Sequence, residues 1–97
     1  MVIVTLNHVP QCFSAQDGKV IYDLIRPHFA RGKRVTISFS GVTDMPSSFV
    51  NSALVPFIKM YGADWVRAHL AIKDVTPLIA GMIKRCFANA ERALLAA

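Results

Sequence analysis

The sequence predicts a small α/β domain, with a mostly parallel or mixed sheet of three to four strands and three helices packed on it. Short β-branched runs alternate along the chain with longer segments whose apolar residues recur every three or four positions. Helical segments separate the strands, and a helical crossover joins parallel strands in a right-handed sense. The length of 97 residues corresponds to a single domain over residues 1–97.

The first half of the chain predicts strands around one helix. Val2 to Leu6 is a β-branched strand, and Gln11 to Ser14 is a shorter strand candidate after an Asn-His-Val-Pro turn. A helical pattern then runs from Asp17 to Gly32, where glycine is a stop signal. Pro27 lies inside this helix and is expected to kink it or to end its regular part early. The clearest strand of the chain, Arg34 to Phe39, follows.

The second half predicts a helix, a strand and a further helix. A serine pair opens a helix that closes at Gly62, and Pro56 is expected to bend it near its middle. Trp65 to Ile72 is predicted as a strand. Thr76 and Pro77 then mark the start of an amphipathic last helix, with threonine as N-cap and proline at the first helical position.

The composition indicates a partner surface. The hydrophobic fraction of 54% is above the soluble average of about 45–50%, and the charged fraction of 18% is below the average of about 25%. Small domains rarely leave large apolar patches bare. We therefore expect a homodimer or a complex with another protein.

The formal net charge of +5 raises the question of nucleic-acid binding. The basic residues are scattered, without an aromatic-interleaved patch or a recognition-helix pattern. This distribution favours ordinary solvated surface over DNA or RNA binding, which stays an alternative. The residues that would carry such binding are Lys33, Arg34, Lys84, Arg85 and Arg92.

Catalytic, metal and membrane functions find little support in the sequence. Cys12 and Cys86 lack a metal-ligand spacing, the aspartates are dispersed where capping is common, and no phosphate-cradling glycine loop is present. We predict no catalytic residues, no metal and no cofactor. Without a signal peptide or a membrane-spanning apolar run, the expected location is cytoplasmic.

The stretch from Ser38 to Leu54 is the candidate functional segment, because a strand leads through a Gly41 turn into a Ser47-Ser48 pair at a helix start. Backbone N–H groups are unpaired there and the helix dipole favours negative charge. One serine is expected to cap the helix, and Ser47 or Ser48 is the candidate phospho-acceptor. The predicted partner-binding loop comprises Gly41, Asp44, Met45, Pro46, Ser47, Ser48, Phe49 and Asn51.

The segment G-K-R-V-T-I-S-F-S-G-V-T-D-M-P-S-S-F-V-N-S-A-L resembles the signature of the STAS-like domain family of unknown function. These small bacterial and phage-associated proteins are related in fold to the anti-sigma-factor antagonists. The resemblance extends from about Asp17 to Leu94. Its specific part is S-F-S-G-V-x-x-x-x-S-S-F, in which strand, glycine turn and serine pair come in the family's order.

The antagonists carry D-S-S-G-L in the similar segment, and a partner kinase that is also the anti-sigma factor phosphorylates the first serine. Aligned on the serine pair, Ser47 takes that phospho-acceptor position. The chain has Pro46 in place of the aspartate, Phe49 and Asn51 in place of the two glycines, and Ser38 in place of an aspartate frequent in the STAS-like family.

The resemblance implies a non-enzymatic regulatory module that binds a protein partner through residues 41–52 and is switched by serine phosphorylation. The implied partner is a histidine-kinase-like ATPase or an anti-sigma-type regulator. Two alternatives stay open, namely a structural homodimer without a switch and weak nucleic-acid binding through the scattered basic residues.

Overall fold

The computed structural model describes residues 2–9 and 14–96, which form three strands and five α-helices. The strands are β1 (Val2–Val4), β2 (Val35–Ser38) and β3 (Leu70–Lys73). The helices are α1 (Ala15–Ala30), α2 (Ser47–Ala53), α3 (Val55–Tyr61), α4 (Ala63–His69) and α5 (Pro77–Ala96), and a 3₁₀ turn at Thr5–Asn7 follows β1.

The described sheet is parallel throughout, with the strand order β1-β2-β3. The predicted α/β class is confirmed. The described residues contain three strands, where three to four were predicted. Of the predicted second strand, Gln11 to Phe13 lie outside the described residues. Ser14 is the N-cap of α1, where its side chain accepts a hydrogen bond from the Asp17 N–H at 3.2 Å.

The core lies on one face of the sheet. Ile3, Ile37 and Ile72 are adjacent in the strand register and point to the helical side, where Ile3 and Ile37 are buried. Right-handed crossovers between strands in sequential order place the connecting helices on this same face. Alternate residues point the other way, and there Val2 is 52% exposed. The described residues therefore form two layers, a helical layer on one face of a sheet.

Helix α1 runs without interruption past Pro27 to Ala30, so the predicted early end is wrong. Pro27 is exposed, and the single backbone bond that it removes lies near the end of a helix held by its buried face. The helix stops at Gly32, whose φ of +69° is readily adopted by glycine. The Lys33 N–H donates to the His28 carbonyl at 3.0 Å and completes a Schellman motif.

The single helix predicted after the serine pair is two helices. It breaks at Leu54, which has a φ of −120° and lies between α2 and α3. Pro56 falls within the first turn of α3, where its missing N–H would be unpaired in any case. The proline therefore starts a second helix instead of bending one continuous helix.

The strand predicted over Trp65 to Ile72 is wrong for residues 65–69, which belong to α4. Ala63 and Val66 are buried three positions apart, so the buried residues follow a helical period. The imidazole of His69 stacks on the Trp65 ring four residues earlier, with centroids 3.8 Å apart, and its Nδ1–H donates to the Trp65 carbonyl at 2.8 Å. Only Leu70–Lys73 joins the sheet.

An aromatic stack links α1, α3 and α4. Tyr61 and Trp65 are stacked with ring centroids 4.3 Å apart, and they belong to the two helices that meet at Gly62. Phe29 of α1 meets the Trp65 ring edge-on at 5.1 Å. The stacked rings are, in order, Tyr22, Phe57, Tyr61, Trp65 and His69.

The last helix begins as predicted, because the Thr76 hydroxyl accepts a hydrogen bond from the Ile79 N–H at 3.2 Å. The buried residues Ile79, Ile83 and Cys86 form its inner stripe. No helix within the described part of the chain combines the length and the apolar character needed to cross a membrane.

Helices α1 and α2 cross at Gly18, where their backbones approach closely. A Cβ atom added to Gly18 would lie 2.5 Å from the Phe49 carbonyl oxygen and 3.2 Å from the Ala53 nitrogen, both backbone atoms of α2. Next to this crossing, the Ser52 hydroxyl donates to the Ala15 carbonyl at 2.6 Å. Glycine at position 18 thus sets the separation of the two helices.

We expect Gly18→Ala to lower the free energy of unfolding by about 1–3 kcal/mol, because the added methyl group must displace helix backbone. Urea denaturation followed by circular dichroism measures this effect. Gly81→Ala is the matched control, since Gly81 is an exposed residue of α5 and a methyl group added there would meet nothing within 4 Å. The control substitution is expected to stabilise by up to about 1 kcal/mol through helix propensity. Equal effects at the two positions would contradict the close crossing.

Candidate functional site

The candidate site lies at the carboxyl ends of the three parallel strands. The segment of residues 39–46 leaves β2 at this edge and leads into α2. The turns that follow β1 and β3 emerge at the same edge, because the strands are parallel. In open α/β sheets this is the edge at which binding sites are usually built.

A tight turn brings the segment out of the sheet. The Phe39 N–H donates to the Lys73 carbonyl at 3.1 Å, and the Val42 N–H donates back to the Phe39 carbonyl at 2.9 Å. Gly41 within the turn has a φ of +83°, and a Cβ atom there would lie 3.0 Å from Cδ1 of Leu6. The turn therefore packs against the segment after β1. Glycine suits position 41 because it readily adopts a positive φ and has no Cβ atom to crowd Leu6.

Buried side chains anchor the segment along its whole length. Phe39, Val42, Met45 and Phe49 are all in the core, and none is more than 7% exposed. The rings of Phe39 and Phe49 pack edge to face with centroids 6.3 Å apart, so the two ends of the segment contact each other. These anchors hold the backbone between them in place.

The structure divides the predicted partner-binding loop between core and surface. Met45 and Phe49 are core residues, 2% and 0% exposed. The other predicted loop residues are exposed, and we call them the polar ridge: Gly41, Asp44, Pro46, Ser47, Ser48 and Asn51. The surface available to a partner is therefore polar, and the apolar residues of the loop hold it from beneath.

The expectation that one serine caps the helix is wrong. Pro46 is the N-cap of α2, and no side chain caps this end. Ser47 and Ser48 are the first two helical residues, so their hydroxyls lie beyond the position from which a side chain caps its own helix. Both serines are exposed, and neither side chain has a hydrogen-bond partner within the described residues.

A pair of polar side chains that sequence reasoning did not connect lies behind the loop. The hydroxyl of Ser38, 1% exposed, donates to Oδ2 of Asp74 at 2.6 Å and accepts from the Ser40 N–H at 3.3 Å. Asp74 adopts a φ of +58°, a conformation that aspartate tolerates better than most residues. The pair joins the exit from β2 to the exit from β3.

Besides Ser38, Thr5 is a buried polar residue at this edge. Residues 2–9 and 14–96 contain no cluster of three metal-ligating side chains. Thr5 is fully buried, and its Oγ1 has no hydrogen-bond partner within those residues.

The basic residues predicted for nucleic-acid binding are distributed over two parts of the fold. Lys33 and Arg34 lie between α1 and β2, at the end of the strands opposite to the loop. Lys84, Arg85 and Arg92 are on α5, and the Arg92 guanidinium donates to the Asn89 side chain. All five are exposed. None belongs to the polar ridge.

Cys86 lies on the buried stripe of α5. Burial raises the pKa of its thiol above the ordinary value of 9.0, and the neighbouring Arg85 charge opposes this shift. Cys12 lies outside the described residues. Burial and the raised pKa both disfavour the thiolate form of Cys86, which is the reactive form.

A family model described as a STAS-like domain of unknown function matches residues 17–80, which is more than half of the chain. The matched residues include α1 from its third residue onward, β2, the polar ridge and β3. No curated protein and no solved structure matches the chain.

We expect Ser38→Ala to lower the free energy of unfolding by about 1–2 kcal/mol, because it removes a hydrogen bond to a carboxylate. Asp74→Asn keeps the side-chain shape and the tolerance of positive φ while it removes the charge. A double-mutant cycle by urea denaturation measures the coupling of the two side chains. Because the amide oxygen introduced by Asp74→Asn can still accept this hydrogen bond, additive effects of Ser38→Ala and Asp74→Asn would show that the carboxylate charge does not strengthen it.

The Cys86 thiol is expected to react slowly with 5,5′-dithiobis(2-nitrobenzoate) at pH 7 in the folded protein and rapidly in urea. The pKa of the Cys86 thiol is higher in the folded protein than in the unfolded protein. The contribution of the buried neutral thiol to the free energy of unfolding is therefore fully present below about pH 9 and declines as the pH rises further. A Cys12→Ser background isolates the signal of Cys86. Equal rates in folded and unfolded protein would contradict its burial.

Proposed function

Because the chain belongs to the family of STAS-like domains of unknown function, we propose that it is a non-enzymatic regulatory module that binds a protein partner. The polar ridge is the proposed contact surface. The observation that supports this most directly is the alternation of buried anchors and exposed polar residues along residues 39–51. The partner class that fits the resemblance is a histidine-kinase-like ATPase or an anti-sigma-type regulator.

A rigid base favours recognition of the ridge. A loop whose apolar side chains are already buried loses little conformational freedom when it binds. Phe49 contacts the core from the first turn of α2, so the serine pair is held close to the sheet. A partner would therefore meet a preformed surface.

Ser47 is the proposed phosphorylation site within this surface. Its hydroxyl is exposed, and no hydrogen bond within the described residues has to be broken to modify it. A phosphoryl group adds about −1.5 to −2 charges. Because the ridge already carries the Asp44 carboxylate, an acidic or apolar partner would be repelled after modification.

The experiment combines mass spectrometry with a binding measurement. The purified protein is incubated with ATP and a lysate of its source cells, and Ser47 is examined by tandem mass spectrometry. The partner recovered with unmodified protein is then titrated against Ser47→Asp, which is expected to weaken binding by about tenfold or more. Ser47→Ala should bind like the wild type.

Ala88→Asp is the matched control, because it adds the same charge to an exposed position on α5. It is expected to leave the dissociation constant unchanged. An unmodified Ser47, together with unchanged binding by Ser47→Asp, would refute the switch. Wild-type binding by Ser48→Arg and Asn51→Arg would refute the ridge as the contact surface.

A further inference from the structure

The strand β3 has an open outer edge. It pairs with β2 on one side and is the last strand in the described sheet. The Phe39 N–H donates to the Lys73 carbonyl, so the main-chain groups of Ala71 and Lys73 face β2. Peptide groups alternate in direction along a strand, which turns the N–H and C=O of Ile72 outward. An extended segment could bond to them.

An apolar groove borders this edge on the helical face. Its volume is about 310 Å³, and it is lined by Arg67, Leu70, Ile72, Ile83, Lys84 and Phe87. Helix α5 packs on α2 and α3, which leaves the groove between α5 and β3. Leu70 and Ile72 are only partly buried as a result. Every second side chain of an added strand would point to the helical face and enter this groove.

A second hollow lies over the amino ends of β2 and β3. Its volume is about 360 Å³, and its lining includes Arg34, Thr36, Arg67, His69 and Ala71. Thr36 and Ala71 pair in register and point away from the helical face. The intervening side chains of an added strand would point to the face away from the helices, near Arg34 and Lys73.

The charges around the edge are mainly positive. Arg67 is neutralised, because it pairs with Glu91 and, at 3.6 Å, with Asp64. Arg34, Lys73 and Lys84 are exposed and form no ion pair within the described residues. Basic side chains at a sheet edge disfavour pairing with a second, equally basic copy of the chain. They favour an acidic segment instead.

We propose that the outer edge of β3 is a docking site for an extended segment of another protein, in which acidic and apolar residues alternate. The segment adds a fourth strand to the sheet by hydrogen bonds to Ile72. Its apolar side chains occupy the groove between β3 and α5, and its carboxylates lie on the opposite face of the sheet, near Lys73 and Arg34. This surface is separate from the polar ridge. The docking proposal is therefore independent of the proposed phosphorylation switch.

The test uses a blocked heptapeptide of alternating glutamate and valine, titrated into the ¹⁵N-labelled full chain. The amide resonances of Ile72 and its neighbours are expected to shift in a saturable way. The matched peptide with lysine in place of glutamate is expected not to bind. Lys73→Glu should weaken binding by about fivefold or more, while Arg85→Glu, a charge reversal at an exposed position of α5 outside both hollows, should leave it within about twofold.

Several outcomes would overturn the proposal. These outcomes are the absence of a saturable shift up to millimolar peptide, binding without movement of the Ile72 amide, equal binding of the lysine peptide, and equal effects of Lys73→Glu and Arg85→Glu. Sedimentation equilibrium provides an independent measurement. A wild-type dimer that buries the β3 edge would assign this surface to a second copy of the chain and would also overturn the proposal.

Discussion

The close crossing of α1 and α2 at Gly18 is the contact on which the rest of the arrangement depends. Helix α2 has seven residues and could not persist in water by itself. It is stable because its buried side chains enter the core and its backbone lies directly against α1. Since the polar ridge runs into α2, the position of Ser47 is set by a contact that involves glycine one helix away.

The same crossing explains why the ridge is a surface and not a flexible loop. One end of the segment is held by Phe39 and by the hydrogen bonds around Ser38, and the other end is held by Phe49 beneath the first turn of α2. Between these ends, the exposed residues have little freedom to rearrange. In the proposed function, recognition at the ridge therefore depends on its chemistry, which a change of charge alters without any change of backbone.

Much of the fold could be predicted from local pattern. Val35, Ile37 and Phe39 alternate as a strand with one buried face does, and the Thr76-Pro77 start of α5 is visible in the sequence. The strand prediction for Trp65 to His69 is wrong because so short a helix contains too few residues to separate the two periods. Its helical state depends on packing against Tyr61 and Phe29, which local pattern does not contain.

The residue range of the candidate site could be predicted from the sequence, but the contacts among its side chains could not. The order of strand, glycine turn and serine pair marked residues 38–54 correctly as a connection between β2 and a helix. The hydrogen bond between Ser38 and Asp74 joins residues 36 positions apart and follows from the strand register. The edge of β3 and its flanking hollows likewise depend on the strand order and on where α5 packs. These features belong to the tertiary structure, and no single sequence motif encodes them.

The aromatic stack has a consequence for observing the molecule. Trp65 is the single tryptophan of the chain, and it is sandwiched between the Tyr61 ring and the His69 imidazole. Its fluorescence reports on the corner at Gly62, where α3 meets α4, and nearby tyrosines transfer excitation to it. The chain thus carries a built-in optical probe of its helical layer, whose emission senses unfolding of that corner and not the chemistry of the serine pair.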